Sequence, residues 1–359
     1  MFQLQKDLDA LCYNALVRIS LIFTVKNEAD ALPRLLDSIA AQTRAPEEIL
    51  AADGGSTDST LNVLRQYSSR LPLKILSVPG ANISQGRNAA IRAAGGDLIC
   101  STDAGVRLDP DWLAELVKPL ESGSHVKGMQ NGTMPSNDAS VDVVSGFFIA
   151  DPQSVFEIAL AATTLPALQD IRPDKFLPSS RSIAFRKYAW EQVCGYPEWL
   201  DYCEDLFFDF DLRAKDFRFV FAPRSLVYFR PRANLPAFFR QYFHYARGDG
   251  KADLWRVRHF IRYVTYLVVL PLALVSLFLG FWSLGLAIFL LGFLAMLFTP
   301  YKRLFPMLRD ASLTRKMFAV AWVPIIRVAG DIAKMIGYPV GIVWRLKNGP
   351  SFDRLEGLS

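Results

Sequence analysis

A doubly wound α/β domain followed by a C-terminal transmembrane helical hairpin is the fold class this sequence predicts. Three observations carry that reading. Short apolar runs alternate with helical stretches over residues 18–122, turn residues sit at the junctions, and residues 263–299 form a run of 37 positions without one charged side chain.

The α/β part follows from periodicity. The segments 19–25, 48–52, 74–78 and 97–101 are continuous apolar runs of strand length, the signature of parallel strands buried on both faces. Helical stretches lie between them at 30–42 and 57–67, and Gly54-Gly55-Ser56, Pro79-Gly80 and Gly95-Gly96 separate helix from strand. A βαβ series of this kind builds an open twisted sheet, and such sheets bind ligands beyond the carboxyl ends of their strands. The stretch 123–200 mixes strands with a long connection. A helix is expected over 204–215, then two short strands at 218–221 and 226–229.

The hairpin follows from length. One helix of 37 residues would measure about 55 Å, well beyond a hydrocarbon core of about 30 Å. Gly280 and Gly285 flank Trp282 in the middle of the run, which suits a tight interfacial turn between spans at 263–280 and 284–299. Arg256, Arg258 and Arg262 precede the run, and Lys302 and Arg303 follow it. Both flanks then lie on one side, and the positive-inside rule makes that side cytosolic. Residues 236–249, rich in aromatic and basic side chains, suit an amphipathic helix at the membrane surface. In the tail, Arg327, Asp331 and Lys334 share one helical face between two apolar pieces, so 317–345 reads as a surface-lying or re-entrant helix. Five segments result: an N-terminal extension (1–17), the α/β domain (18–235), the interfacial helix region (236–262), the hairpin (263–299) and a cytosolic or interfacial tail (300–359).

Composition removes several alternatives. The 40 basic and 35 acidic residues leave a net charge of +5, suited to anionic lipid or phosphate but too weak for a nucleic-acid partner. Cys12, Cys100, Cys194 and Cys203 include no C-x-x-C pair and there are three histidines, which disfavours disulfide staples and structural zinc and fits a reducing compartment. Residues 1–16 carry Lys6, Asp7 and Asp9 and no apolar core, unlike a signal peptide. No G-x-G-x-x-G follows the first strand, which argues against a dinucleotide oxidoreductase. A transport component would need polar residues inside the spans, and 263–299 has almost none.

The chemistry-bearing residues cluster at strand ends. Asp53 ends the second strand ahead of a glycine turn, where a carboxylate can accept from a base imide or ribose hydroxyls. Asp58 fits a helix cap better. Arg87, in Ser84-Gln85-Gly86-Arg87-Asn88 at a helix start, suits a diphosphate contact. Asp103 follows the fourth strand. Glu204 and Asp205 open a helix dense in aromatics; they are either favourable dipole partners or, in an apolar setting that raises a carboxylate pKa, the source of a general base.

With these residues together, the chain resembles the family 2 glycosyltransferases of GT-A fold over residues 18–250. "LIFTVKNEADALPRLLDSIAAQT" is similar to the family's first strand and helix, and "AADGGSTDST" to its donor-base loop. "GRNAAIRAAGGDLICSTDAGVRLDPDWL" resembles its DxD region, and "CEDLFFDFDLRAKDFRFVFAPRSLVYFRPR" its base-bearing segment. The resemblance implies that Thr24, Glu28 and Asp53 hold the nucleoside, Arg87 faces the diphosphate, Asp103 is the surviving DxD acid and tentative metal ligand, and Asp205, beside Glu204, is the catalytic base. "RQYFHYARG" resembles a relaxed Q-x-x-R-W motif, which implies acceptor contacts from Gln241, His244 and Tyr245. Ser179, Ser180 and Arg181 precede the base on the acceptor side and could meet a phosphate or sugar.

Two departures bear on metal. Gly105 stands where the second DxD acid is expected, and Phe229 where the family often has a metal-binding His. Dependence on Mg²⁺ or Mn²⁺ is therefore expected to be weak or dispensable, with a hydrated ion at Asp103 or with Arg230 and Arg232 replacing its charge. The resemblance as a whole implies inverting transfer from a nucleotide-diphosphate sugar to a membrane-associated, polyprenyl-linked acceptor in surface glycan synthesis. It also implies a multi-pass protein of the inner (cytoplasmic) membrane with its catalytic domain facing the cytosol. The rival is a catalytically silent sugar-nucleotide-binding scaffold of an envelope assembly complex.

Overall fold

A computed structural model describes residues 18–122 and 141–349. The N-terminal extension 1–17 and the last ten residues of the tail lie outside the described residues. The chain divides into two compact units. One comprises the chain up to Ile149 together with Ile171–Phe229, and the other comprises Ala150–Asp170 and the chain from Arg230 onward. Among the described residues, 150–170 and 230–349 make up the second unit.

In the first unit, β1 (Ile19–Val25) is followed by α1 (Leu32–Ala40), β2 (Glu48–Asp53), α2 (Thr60–Tyr67), β3 (Leu73–Ser77), α3 (Ile83–Ala93), β4 (Leu98–Ser101), β5 (Val106–Leu108) and α4 (Trp112–Ser122). Strand β6 (Val143–Ala150) leads into α5 (Val155–Thr164), and the first unit resumes with β7 (Ile183–Arg186), α6 (Lys187–Gln192), α7 (Glu204–Ala214) and β8 (Phe219–Phe229). Among the described residues, eight strands form one sheet in the order β3-β2-β1-β4-β7-β6-β8-β5. The first four are mutually parallel, whereas β7 runs antiparallel to β4 and β5 antiparallel to β8.

Alternation along the strands sorts their side chains onto two covered faces. Ile19, Leu21, Phe23 and Val25 pack with Leu32, Leu35 and Leu36 of α1 and with Trp112 of α4. Ile22, Leu50 and Ala52 point the other way, against Ala90 and Ile91 of α3 and Phe208 of α7. Both faces of β1, β2 and β4 are dry, which explains their unbroken apolar runs, whereas the edge strand β3 is partly exposed. Register places Val25 opposite Asp53, and Asp53 opposite Ser77, so the parallel strands end together at one edge. Where two strands were expected at 218–221 and 226–229, β8 is continuous. Its β5 pairing covers only Val227–Phe229, so the missing N–H of Pro223 falls outside that ladder on an exposed stretch.

The second unit is helical. After α5 come α8 (Leu235–Lys251), α9 (Arg256–Val264), a π-helical turn (Thr265–Val269), α10 (Leu270–Phe278), α11 (Trp282–Met307) and α12 (Leu313–Asn348). Arg256–Phe278 and Trp282–Met307 are each long and apolar enough to cross a membrane. Both are longer than the spans expected at 263–280 and 284–299, and the turn between them contains Gly280 at φ 86°. Their side chains are largely uncovered, Phe278 being 90% exposed, whereas a soluble core hairpin would bury them.

Helix α12 runs unbroken through 313–348 and contains the helix expected over 317–345. Asp331 and Lys334, near its middle, meet neighbouring helices. Asp331 accepts from Arg262 Nε at 2.8 Å and from the Tyr266 hydroxyl at 3.2 Å, and Lys334 Nζ sits 4.7 Å from the Tyr242 ring centroid. The helix lies against α8 through glycines: a Cβ built at Gly337 would overlap the carbonyl oxygen of Phe243, and one at Gly341 that of Arg247. Close backbone approach through small residues maximises dispersion contact along the seam. Gly337→Leu is expected to cost about 3 kcal/mol or more. Gly292→Leu, where a Cβ would meet open space, is expected to be near neutral. Thermal unfolding in detergent separates the two, and equal melting points would refute the seam.

Candidate active site

The site grows from the common edge where β1, β2 and β4 end. The loops after β1 and β2 are zipped together by side chains. Asn27 Oδ1 accepts from Thr57 N–H at 2.8 Å, Ser56 Oγ from Asn27 N–H at 3.0 Å, and Thr60 Oγ1 from Glu28 N–H at 2.8 Å. Asp58, one residue ahead of the N-cap Ser59, accepts from Thr60 N–H and Thr60 Oγ1 at the start of α2 and reaches Ala29 N–H. Asp53, assigned by sequence to the nucleoside, is 1% exposed and accepts from the N–H groups of Gly55 and Ser56. It holds the turn. Thr24 closes β1 against the first turn of α3, where a Cβ on Gly86 would come within 2.9 Å of its methyl group.

Helix α3 then organises the rest. Its start is a full capping box between Asn82 and Gln85. Asn88 accepts at Oδ1 from Tyr196 N–H (2.9 Å) and Trp190 Nε1 (3.0 Å), and its Nδ2 donates to the Tyr196 carbonyl (2.8 Å). Ser84 Oγ donates to the Leu200 carbonyl. These bonds fix the chain that leads into α7 and so set where Glu204 and Asp205 stand. Nothing in the residue pattern singled out Asn88; an Asn beside an Arg on one helix carries no periodic signal.

Sequence placed Arg87 against a diphosphate, but the structure shows it buried, 3% exposed. Its Nη1 donates to Glu204 Oε1 at 2.6 Å and its Nη2 to Asp103 Oδ1 at 3.0 Å. Both terminal nitrogens are committed to carboxylates, so Arg87 joins the end of β4 to the start of α7. Deleting one partner of such a buried group leaves an uncompensated charge and costs about 3–5 kcal/mol. A second guanidinium, Arg181, meets the other oxygen of Asp103, with Nε 3.3 Å from Oδ2. Arg181 therefore belongs with Asp103 in the first unit. The other three expected acceptor residues lie on α8 in the second unit, where Gln241 Nε2 donates to the Tyr245 hydroxyl at 2.6 Å and the His244 ring lies 5.4 Å from that of Phe243.

Negative charge is in excess here. Asp103, Glu204, Asp205 and Asp209 gather around Arg87 and Arg181. Burial, then the charge of Asp205, raises the Glu204 pKa against the pull of Arg87. Burial also raises that of Asp205, opposed by Arg87. Asp205 stays partly open, its Oδ1 accepting from Leu206 N–H. No residue pattern pointed to Asp209, one helical turn further along α7. It is 1% exposed, neither oxygen has a partner among the described residues, and burial followed by Asp205 drives its pKa well up.

A divalent cation does not fit these residues. Both oxygens of Asp103 are bound to guanidinium groups, Ala104 and Gly105 offer no carboxylate, and Phe229 lies opposite on β8. Among the described residues no group of three or more His, Cys, Asp and Glu side chains is placed to hold a metal. Arg230 and Arg232, expected to replace its charge, are engaged in the second unit. Arg230 forks onto Glu157 at 2.8–3.2 Å and Arg232 Nε donates to Gln241 Oε1 at 3.3 Å.

Residues 20–140 match the family described as Glycosyl transferase family 2. The chain carries a glycosyl transferase family 2 domain. An uncharacterized glycosyltransferase of Nostoc sp. is 33% identical over 132 residues, covering 36% of this chain and 41% of that protein. The undecaprenyl-phosphate 4-deoxy-4-formamido-L-arabinose transferase of Serratia proteamaculans is 31% identical over 118 residues, covering 31% of this chain and 36% of that protein. The chain thus spans well under half the length of these relatives. In overall fold it is similar to a mannosyltransferase from Pyrobaculum calidifontis, solved with GDP-Man and Mn²⁺, at a TM-score of 0.50 with 18% identity over 97% of this chain and 95% of the other. The family 2 domain coincides with the parallel half of the sheet and the Asp103 edge. Glu204, Asp205 and Arg181 lie beyond the matched residues.

The raised proton affinity of Asp209 has a consequence for stability. Between the ordinary carboxylate pKa of about 3.9 and its raised folded value, the native state binds more protons than the unfolded chain. Stability from this group is full below about pH 4 and declines as pH rises through that window. Asp209→Asn is expected to raise the melting temperature relative to wild type at about pH 8 and to leave it unchanged at about pH 4. An unaltered pH slope would assign the decline to other groups.

Proposed function

We propose that this protein is an inverting glycosyltransferase that moves a sugar from a nucleotide-diphosphate donor to a membrane-associated, polyprenyl-linked acceptor. The observation that carries the reading is Asp205: a partly open carboxylate of raised proton affinity, held by α7 beside the Arg87 network at the carboxyl edge of the sheet. The family 2 domain supports sugar transfer. The acceptor class is supported by the name of the Serratia relative and by two uncovered apolar helices with Arg256, Arg258, Lys302 and Arg303 at their ends. Those basic ends favour a cytosolic catalytic unit in a multi-pass protein of the inner membrane.

In this mechanism the nucleoside rests on the zipped loops near Thr24 and Glu28, with Asp53 shaping the turn from behind. An acceptor hydroxyl attacks the anomeric carbon opposite the leaving group. The new C–O bond forms as the bond from the anomeric carbon to the phosphate oxygen breaks, the electron pair leaves with the nucleoside diphosphate, and the hydroxyl proton passes to Asp205. Glu204 and Arg87 act as positioning residues that keep Asp205 and Asp103 in register. Gln241, His244 and Tyr245 are assigned to the acceptor.

Purified protein in detergent, offered a panel of nucleotide sugars and a bacterial lipid extract, is expected to release nucleoside diphosphate and to label lipid. Asp205→Asn is expected to lower turnover by about 10²–10⁴-fold while leaving nucleotide binding intact. Because the base acts deprotonated, wild-type kcat/KM should rise with pH through the raised pKa of Asp205. Nucleotide binding without turnover of any donor would instead support the silent scaffold.

A further inference from the structure

Sugar transfer releases a nucleoside diphosphate whose charge must be met, and the role assigned here to Arg181 rests on the transferase reading. Next to Asp103 stands a guanidinium in an unusual seat. Arg181 lies 4.3 Å from the ring centroid of Phe229 and 5.6 Å from that of Phe148, and those two rings meet edge to face at 5.9 Å. Its Nε is tethered to Asp103, which leaves Nη1 and Nη2 without a partner among the described residues. Its side chain is 21% exposed.

The backbone beneath it is fixed. Thr102 Oγ1 donates to the Arg181 carbonyl at 3.0 Å, Ser182 N–H closes a turn onto the Ser179 carbonyl at 2.9 Å, and Ser182 Oγ accepts from Trp112 Nε1 at 2.8 Å. Phe229 is fixed as well, paired in register with Val106, three residues after Asp103. A Cβ built at Gly105 meets open space, so there is room beside Asp103 for a ligand. A planar fork with two open nitrogens, oriented by an acid and lying on aromatic faces, has the geometry that binds two phosphate oxygens at once. Because its position is set before substrate arrives, little reorganisation is needed as charge develops on the leaving oxygen.

We propose that Arg181, seated on Phe229 and Phe148 and tethered to Asp103, binds the donor diphosphate and supplies the positive charge at the leaving group, so that transfer needs no divalent metal. Asp103 then orients a guanidinium and does not coordinate an ion. The aromatic residue at 229 supports that cation from below.

The test combines turnover with binding. Protein stripped with EDTA is expected to turn over nucleotide sugar as fast as untreated protein. Calorimetric titration in EDTA should show nucleoside diphosphate binding more tightly than the matching nucleoside. Arg181→Met should lose about 10²–10³-fold in kcat and most of the added diphosphate affinity, with nucleoside affinity unchanged. Arg181→Lys, which keeps the charge and loses the fork, should fall between; if Arg181→Met does not fold, this variant decides, and diphosphate affinity equal to wild type overturns the proposal. Loss of turnover in EDTA with recovery in Mn²⁺ or Mg²⁺ overturns it while leaving the transferase reading standing. If wild type turns over no donor with or without metal, the transferase reading fails, and the diphosphate titration still decides the role of Arg181.

Discussion

A single buried guanidinium holds the catalytic unit in its working arrangement. Arg87 bridges Asp103, just past β4, and Glu204, at the start of α7, across 117 residues of sequence between Arg87 and Glu204. Removing a cation from water is costly, and that cost is offset only because two carboxylates meet it at hydrogen-bond distance. The arrangement is therefore close to all-or-none. With Arg87 in place the two acids are drawn together, and without it they repel. The neighbouring bonds of Ser84 and Asn88 to the chain ahead of α7 work in the same direction, so one helix holds both Asp103 and the start of α7.

The electrostatics follow from that clustering. Burial raises the proton affinities of Glu204, Asp205 and Asp209, and the charge of Asp205 adds to the rise at Glu204 and Asp209. A raised affinity is what a base at physiological pH needs, because a carboxylate at its ordinary pKa holds a proton too weakly to take one from a hydroxyl. Asp209 carries the same effect further, since burial without a partner favours the neutral acid. Asp103 meets Arg87 through one oxygen and Arg181 through the other, and Glu204 meets Arg87.

The second unit obeys a different constraint. Its seam between α8 and α12 is built on glycines whose missing side chains let backbones approach, and its polar contacts are pairs satisfied inside the bundle, such as Arg262 with Asp331. The apolar sides of α10 and α11 stay uncovered. Satisfied polar groups within and apolar groups without is the pattern a bilayer imposes on helices. Within 327–334, the region the sequence reads as part of a surface-lying or re-entrant helix, Asp331 is buried against Arg262 and Tyr266 while Arg327 stays partly exposed. A helical wheel shows that charges share a face, but not which neighbour that face meets.

The amino-acid sequence by itself determined the strand–helix alternation, the common edge carrying Asp53 and Asp103, the Glu204-Asp205 helix start and the two long apolar helices. All of these rest on local periodicity, turn chemistry or length, which are properties of contiguous residues. Only the tertiary structure decided what each charged side chain meets. It set Arg87 between Asp103 and Glu204, bonded Asp53 to its own turn, placed Arg181 beside Asp103, engaged Arg230 with Glu157 and Arg232 with Gln241, and buried Asp209 one turn beyond Asp205. Ion pairing and burial are set by residues distant in the chain, and no local pattern records which partner a charge will find.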